Sequence, residues 1–320
     1  MRVVQKTIMA AVLAACAYPV HAQQGKPARM VVAFPAGGPI DIVARMLAPK
    51  LGEVLGQQVL VDNRGGANGM IGTDHVAKSA PDGLTMILAS TSAVTISPAV
   101  YPKMAYDSVR DLATVSLVST TPELLVVHPS VPVKSVRELV ALAKAKPNAL
   151  SVASTGSGGL PHLALELLKV NSNTQMLHVP YQGAAPAVTS ILGGQVHGLF
   201  ADLPVLLPHV QGGKLRALAV ASPKRSGLLP DLVTMGEQGL PGVEAVNWYG
   251  ILTPAKISRE TLIRLHDAVV KTLNDPAVRE KMIARGAEPV GNTPEQFAEY
   301  LKKDLERWAK LAKTTNIKVD

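Results

Sequence analysis

The sequence predicts a protein of two α/β lobes, on three observations. Its 320 residues exceed what one typical core supports. From Arg29 onward, short apolar runs of β type alternate with amphipathic helical stretches, the pattern of βαβ units around parallel sheets. That alternation comes as two sets, and each contains a strand that passes through a glycine-rich turn into a helix. The 47% apolar content is spread along the chain and no segment is low in complexity, so an ordered globular body is expected.

In order along the chain, residues 1–22 read as an export signal. Arg2 and Lys6 form a basic start, and Ile8 to Ala15 an apolar stretch too short to span a bilayer. Two processing readings stay open: Val20-His21-Ala22 offers small residues before Gln23, while Leu13-Ala14-Ala15-Cys16 resembles a lipoprotein box. The expected compartment is the periplasm, either in free form or with a lipid anchor on Cys16. Met30 to Phe34 reads as the first strand and Ile40 to Leu47 as a helix that Pro49 kinks or ends. Ile71 to Lys78 suits a helix, Leu84 to Ala89 a buried strand, and Leu124 to Val127 a strand leading into the second set.

Ser135-Val136-Arg137-Glu138 has capping-box spacing ahead of a helix that Pro147 closes. Strands are then expected at 150–153, 176–179, 196–200 and 216–221, with helices at 163–169 and 187–192. Val243 to Leu252 is a β-rich run that returns the chain to the first lobe, and the remainder reads as helical. Thr293-Pro294-Glu295-Gln296 starts a last helix of about 18 residues, expected to pack on the first lobe. The implied division is 23–125 plus 245–320 for lobe one and 126–244 for lobe two.

Composition excludes several function classes. Cys16 is the sole cysteine and lies in the leader, so a disulfide framework, a cysteine metal site and a thiol nucleophile are not expected. The formal charge of +8 falls to +6 without Arg2 and Lys6 and is dispersed, which argues against nucleic acid and mildly favours anionic ligands. At 3% aromatic residues, stacking platforms for sugars are scarce. No later stretch is apolar for the eighteen or so residues of a membrane span.

Two stretches share one plan, namely Pro35-Ala36-Gly37-Gly38-Pro39-Ile40-Asp41 and Ser154-Thr155-Gly156-Ser157-Gly158-Gly159-Leu160-Pro161-His162. Each follows a strand and opens a helix, which points free backbone N–H groups at the carboxyl end of a parallel sheet. One such turn is often only a turn; one in each lobe makes two half-sites for a single anion. Other motifs carry less. Ser157 lacks the Gly-x-Ser-x-Gly elbow of a hydrolase because Thr155 stands at the first glycine position. The eight histidines show no metal-site spacing, and Gly65-Gly66-Ala67-Asn68-Gly69 reads as a plain turn, since it lacks the lysine ending of a phosphate loop. Asp202 either reaches the cleft or caps the next helix.

The sequence also resembles the Bug-type receptors, the periplasmic substrate-binding subunits of tripartite tricarboxylate transporters, over nearly the whole mature chain. The resemblance rests on Phe34-Pro-Ala-Gly-Gly-Pro-Ile-Asp41, Asp62-Asn-Arg-Gly-Gly-Ala-Asn-Gly-Met-Ile-Gly72, Ala80-Pro-Asp-Gly83, His128-Pro-Ser130, His178-Val-Pro-Tyr181, Leu192-Gly-Gly-Gln195, Gly213-Lys-Leu-Arg-Ala-Leu-Ala219 and Gly286-Ala-Glu-Pro-Val290. It implies a type II periplasmic-binding-protein fold with a cleft between two lobes and two hinge crossovers. It further implies a ligand carboxylate held by backbone N–H groups and ordered waters at Pro35 to Gly38. Ser154 to Gly159 would grip the rest of the ligand, with Thr91, Tyr181 and Asp202 lining the cleft. Pro49 departs from the uninterrupted first helix usual in this family.

The expected function is therefore non-catalytic capture of a small mono-, di- or tricarboxylic acid by a monomer without cofactor or metal. The closed form would be presented to membrane subunits of a transporter or, alternatively, to a sensor kinase ectodomain. A third reading is an exported serine hydrolase using Ser157 and His162.

Overall fold

The computed structural model describes residues 26–315; residues 1–22, read above as an export signal, and Cys16 within them lie outside the described residues. The first half of the chain runs β1 (Ala28–Val32), α1 (Pro39–Leu55), β2 (Val59–Asn63), α2 (Met70–Ala77), β3 (Thr85–Ser90), α3 (Ser97–Val100) and β4 (Leu112–Val127). Next come α4 (Val136–Ala145), β5 (Ser151–Ser154), α5 (Leu160–Ser172), β6 (Leu177–Pro180), α6 (Ala184–Leu192), β7 (Gly198–Asp202), α7 (Leu203–Gln211) and β8 (Arg216–Val220). The chain closes with β9 (Val246–Pro254), α8 (Arg259–Leu273), α9 (Pro276–Ala284), β10 (Glu288–Pro289) and α10 (Pro294–Thr315).

All ten strands belong to one curled sheet with the path β2-β1-β3-β9-β4-β7-β5-β6, and β8 and β10 pair with β4 off that path. The outer strands are parallel, β2, β1 and β3 at one end and β7, β5 and β6 at the other. Between them β9 and β4 run antiparallel to their neighbours. The parallel strands read as continuous apolar runs because helices cover both of their faces. Met30, Val32, Leu47 and Leu51 share one core of the first half, while Val31, Ile87 and Phe297 share the other. Beyond the middle of β4, Leu125 and Val127 point into one core of the second half and Leu124 and Val126 into the opposite one, the period-two alternation of a strand.

β4 belongs to both halves. Leu112 to Pro122 pair with β9, and from Glu123 the strand pairs with β7 instead, with Glu123 opposite Asp202. Pro122 has no N–H to donate and sits at that exchange of partners. The return crossing lies alongside: Glu123 N–H donates to Ala245 O (3.0 Å), Ala245 N–H to Ala221 O (2.7 Å) and Ala221 N–H to Glu123 O (2.9 Å).

The structure corrects several sequence expectations. β4 starts at Leu112, twelve positions before the expected Leu124, because its first part alternates apolar residues with Ser and Thr and so hides its strand character. Pro49 neither ends nor shortens α1, which runs 17 residues to Leu55. A proline removes one i→i−4 bond but its fixed φ suits a helix, and Leu47, Ala48 and Leu51 bury on either side of it. The last helix has its expected capping box, Gln296 N–H to Thr293 Oγ1 and Thr293 N–H to Gln296 Oε1. It does not pack on the first half alone: Phe297 and Leu301 enter a first-half core, whereas Trp308 and Ala312 enter the second-half core around Leu125 and Phe200.

Two outcomes follow from this packing. A Cβ on Gly250 of β9 would lie 2.2 Å from the fully buried ring of Phe297. Gly250→Ala is therefore expected to lower unfolding free energy by about 1–3 kcal/mol in chemical denaturation; an unchanged midpoint would show that the ring has room to move. Glu123 is fully buried, with its carboxyl beside that of Asp202, the residue opposite it on β7. Burial, reinforced by the neighbouring Asp202 charge, raises its pKa well above the usual carboxylate range. The unfolded chain gives up this proton at its ordinary pKa while the folded chain keeps it, so stability falls as pH rises between the two values. Glu123→Gln removes that slope, which is at most about 1.4 kcal/mol per pH unit, and should gain on the parent as pH rises above the ordinary carboxylate range. Parallel stability profiles for the two proteins would refute the buried neutral acid.

Candidate functional site

Two helix N-termini, one from each half of the sheet, open onto one cavity. Gly38 is the N-cap of α1 and Gly159 the N-cap of α5; both have extended backbone and neither has a side-chain cap. The inner part of the cavity, about 40 Å³ in volume, is lined from the first half by Pro35, Gly38, Ser90, Asn247 and Tyr249, and from the second by Thr155, Pro161, Gly183 and Asp202. Its mouth is lined by Pro35, Ala36, the Gly65–Gly69 loop, Tyr101, Thr155, Gly156, Ser157 and Tyr181.

The halves touch across this cavity. Asn68 Nδ2 donates to Gly158 O (2.9 Å), Leu160 N–H donates to Ser92 Oγ (3.1 Å), and Tyr101 OH donates to Ser157 O (3.1 Å). A Cβ at Gly159 would stand 2.9 Å from Asn68 Oδ1, and one at Gly183 would stand 3.3 Å from the Pro35 ring. Glycine at these two positions is what lets the facing loops meet. Asn68 adopts φ +52° and follows Ala67 at φ +46°, a left-handed pair that turns the Asn68 amide toward the second half. The sequence reading as a plain turn missed this residue; asparagine between glycines, tolerant of left-handed backbone, was its available signal.

The anion loops are braced by their own side chains. Asp41 is almost wholly buried, and its carboxylate accepts from Gly37 N–H (2.9 Å), Arg45 Nε (2.9 Å) and Asn63 Nδ2 (2.9 Å). Burial works to raise its pKa, and those three donors together with the Arg45 charge more than offset this, holding it below the usual value. Asp41 thus shapes the loop from behind and does not line the cavity. In the second loop, His162 Nδ1 accepts from Gly158 N–H (3.0 Å), while Ser154 Oγ meets Gly156 N–H (3.3 Å) and His178 Nε2 (2.7 Å). The His162 and His178 rings stack at 3.9 Å. Burial, with His162 alongside, pulls the His178 pKa down to about 4 and keeps that ring neutral. Five amides at the two loops, those of Gly37, Gly38 (to Pro35 O, 3.4 Å), Gly156, Gly158 and Leu160, are engaged within the protein. Among the described residues the amides of Ala36, Thr155 and Ser157 have no protein acceptor.

The remaining candidates separate by position. Thr91 is fully buried behind the cavity, where its hydroxyl accepts from Trp248 N–H (3.1 Å). Tyr181 lines the mouth with its ring, and its hydroxyl pairs with Ser190 of α6. Asp202 precedes α7 but makes no capping bond; Asn247 Nδ2 donates to its Oδ1 (2.9 Å) and its side chain lines the inner cavity. Burial raises its pKa to about 6, partly offset by the Asn247 bond. Ser157 and His162 share no hydrogen bond among the described residues, and His162 Nδ1 is spent on the Gly158 amide, so no nucleophile–base pair is formed. Asn68, Ser90, Ser92, Tyr101, Asn247 and Tyr249 complete the site and were not singled out by sequence.

Among the described residues no helix is long and apolar enough to cross a membrane. The model of the tripartite tricarboxylate transporter family receptor matches residues 43–317. Protein BugT of Bordetella pertussis is 37% identical over 312 residues, spanning 97% of this chain and 94% of that one. The periplasmic binding protein BugD superposes with a TM-score of 0.87 at 34% identity over 91% of this chain and 98% of that one. An R. palustris protein solved with adipate gives 0.88 at 33% identity (92% and 99% covered), and MatC of Rhodopseudomonas palustris with bound malate gives 0.84 at 29% identity (92% and 99%). With the periplasmic-binding-protein fold and a matched sequence that takes in both halves of the sheet, the chain belongs to the tripartite tricarboxylate transporter receptor family.

Proposed function

We propose that this receptor captures a small organic carboxylate between the Pro35–Gly38 and Ser154–Gly159 loops, and that residues 23–125 with 245–320 and residues 126–244 move as two lobes about the β4 and Ala245 crossings. The observation that carries this reading is the pair of uncapped helix N-termini, one from each half, at a single cavity. A helix N-terminus attracts an anion through its free N–H groups and its dipole. Each hydrogen bond to a charged group contributes about 1.5–3 kcal/mol and each helix end roughly 0.3–1 kcal/mol. Three free amides and two helix ends total about 5–11 kcal/mol before the cost of association, so further hydrogen bonds from hydroxyls and water are needed for the roughly 8 kcal/mol of micromolar binding without an ion pair.

The family and the adipate and malate complexes of two structural relatives support the ligand class. Thr155, Gly156 and Ser157 are assigned to ligand contact together with Pro35, Ala36, Gly38 and Tyr181. Gly37, Asp41, Thr91, Ser154, Gly158, Gly159 and His162 hold the loops in shape. The closed monomer is then handed to the membrane subunits of a periplasmic uptake system, without covalent chemistry.

A thermal-shift screen of the purified protein against mono-, di- and tricarboxylates, amino acids, aromatic acids, sugars and esters tests the class. An acid at a hundred times its dissociation constant should add about 2.7 kcal/mol, a shift of several degrees. Response to sugars or esters alone would overturn the proposal. For the placement, Gly38→Val should lower acid affinity at least about ten-fold with an unchanged far-UV spectrum. Gly38 has φ −76°, which valine adopts, but its Cβ would stand 3.3 Å from Pro35 O, so the branched side chain crowds the loop that carries the Ala36 amide. Undiminished affinity would move the site elsewhere.

A further inference from the structure

The inner end of the cavity carries a row of polar side chains that the loops do not use. Strand register puts Ser90 of β3 opposite Tyr249 of β9, Tyr249 opposite Ser119 of β4, Asn247 opposite Thr121, and Glu123 opposite Asp202. Paired residues of neighbouring strands share a face, so these seven side chains form one continuous polar surface across four strands. Each is at least nine-tenths buried. Yet Ser90 Oγ, Ser119 Oγ, Thr121 Oγ1 and Asn247 Oδ1 have no hydrogen-bond partner among the described residues, while Tyr249 OH and the Glu123 carboxyl have only Asp202 beside them. A buried polar atom left unpaired costs about as much as a lost hydrogen bond, and a strand face inside a packed sheet normally avoids this by being apolar. Ser90, Asn247, Tyr249 and Asp202 of this row line the cavity.

We infer that this row is a second subsite of the cleft, one that takes a hydrogen-bond-donating group of the ligand, a hydroxyl or an ammonium, while the loops hold the carboxylate. The inference rests on the carboxylate-receptor reading and narrows it. Of the groups facing the cavity, the Asp202 carboxylate and Asn247 Oδ1 only accept, while the Ser90 and Tyr249 hydroxyls can accept or donate. Asn247 commits one of its two amide N–H groups to Asp202. No Lys, Arg or His lines the inner cavity, so nothing there would neutralise a second carboxylate. A ligand group with protons to give satisfies the row; a further anion faces Asp202 unpaired. The groups packed around Asp202 are Glu123 from β4 and Asn247 and Tyr249 from β9, none of them cationic.

The test compares matched acids on the purified protein by calorimetric titration: butyrate against γ-hydroxybutyrate and γ-aminobutyrate, succinate against malate and aspartate, and benzoate against 3-hydroxybenzoate. In at least one series the donor-bearing acid should bind at least about ten-fold tighter than its unsubstituted parent. Asp202→Asn should reduce that preference by about ten-fold, since the amide replaces an acceptor with a donor. With the parent protein, preference for an ammonium over its unsubstituted acid should also shrink between about pH 7.5 and pH 5, as Asp202 takes up its proton. The pH arm needs no substitution and stands even where the variant folds poorly. Unsubstituted acids that bind as tightly as their hydroxyl and amino analogues would overturn the subsite and leave the carboxylate receptor standing. Silence from every acid in all three series would overturn both.

Discussion

One strand, β4, is shared by the two halves of the molecule, and most of the site follows from how it is shared. A sheet strand must find partners for its backbone along its whole length. Over Leu112 to Pro122 β4 uses β9, and over Glu123 to Val127 it uses β7 and β8. The exchange occurs where Pro122 has no N–H and where Ala245, the last residue of the return crossing, supplies the acceptor for Glu123 N–H. Both chain crossings are thereby stitched at one level, and the two parallel ends of the sheet extend from it. Carboxyl ends of parallel strands are where helix N-termini converge, so the glycine loops after β1 and β5 meet at one cavity.

That arrangement explains why the loops need internal braces. A flexible glycine turn would lose conformational entropy on gripping a ligand, and Asp41 and His162 remove much of that loss in advance. Each does so from within its own helix, four residues downstream of an amide it accepts: Gly37 for Asp41 and Gly158 for His162. The two halves thus arrive at one device with different chemistry, a carboxylate held ionised by Arg45 and Asn63 in one and a stacked imidazole in the other. The cost is that the braced amides are no longer free, so the proposed ligand contact is assigned to their neighbours Ala36, Thr155 and Ser157.

How much of this was legible in the sequence follows from which physical signals are local. The parallel strands were readable because burial on both faces makes them continuous apolar runs, and the helix starts because Ser135 and Thr293 carry capping boxes. The anion loops were readable from glycine between a strand and a helix. The early part of β4 was not, because Ser116, Ser119 and Thr121 interrupt its hydropathy and Pro122 argues against a central strand. Ser119 and Thr121 belong to the buried polar row beside the cavity and Pro122 to the crossing, while Ser116 Oγ donates to Asn292 O. Asp41 and Thr91 sat at matching positions but behind the cavity, a distinction of side-chain direction that spacing does not encode. Asn68 and Tyr101 reach the second half from loops far away in sequence, and only the folded sheet brings them there.

The contacts across the cleft also bear on how a receptor of this design responds to its ligand. Three hydrogen bonds join the halves at the mouth, and at about 0.5–1.5 kcal/mol each they favour the closed form by only a few kcal/mol before the entropy of closing is counted. Such a balance is easily tipped, since a ligand shifts an equilibrium by its differential affinity for the two states. Helix α10 limits the motion, because its apolar residues enter cores of both halves and must stay packed on each. The closure proposed above is therefore confined to rotations that keep Phe297 and Trp308 seated, with β4 and the Ala245 crossing as its flexing elements. A ligand that bridges Ala36 in one half and Thr155 and Ser157 in the other meets that constraint directly: it adds bonds only when both loops are within reach, and so stabilises the one arrangement in which Asn68 also finds Gly158.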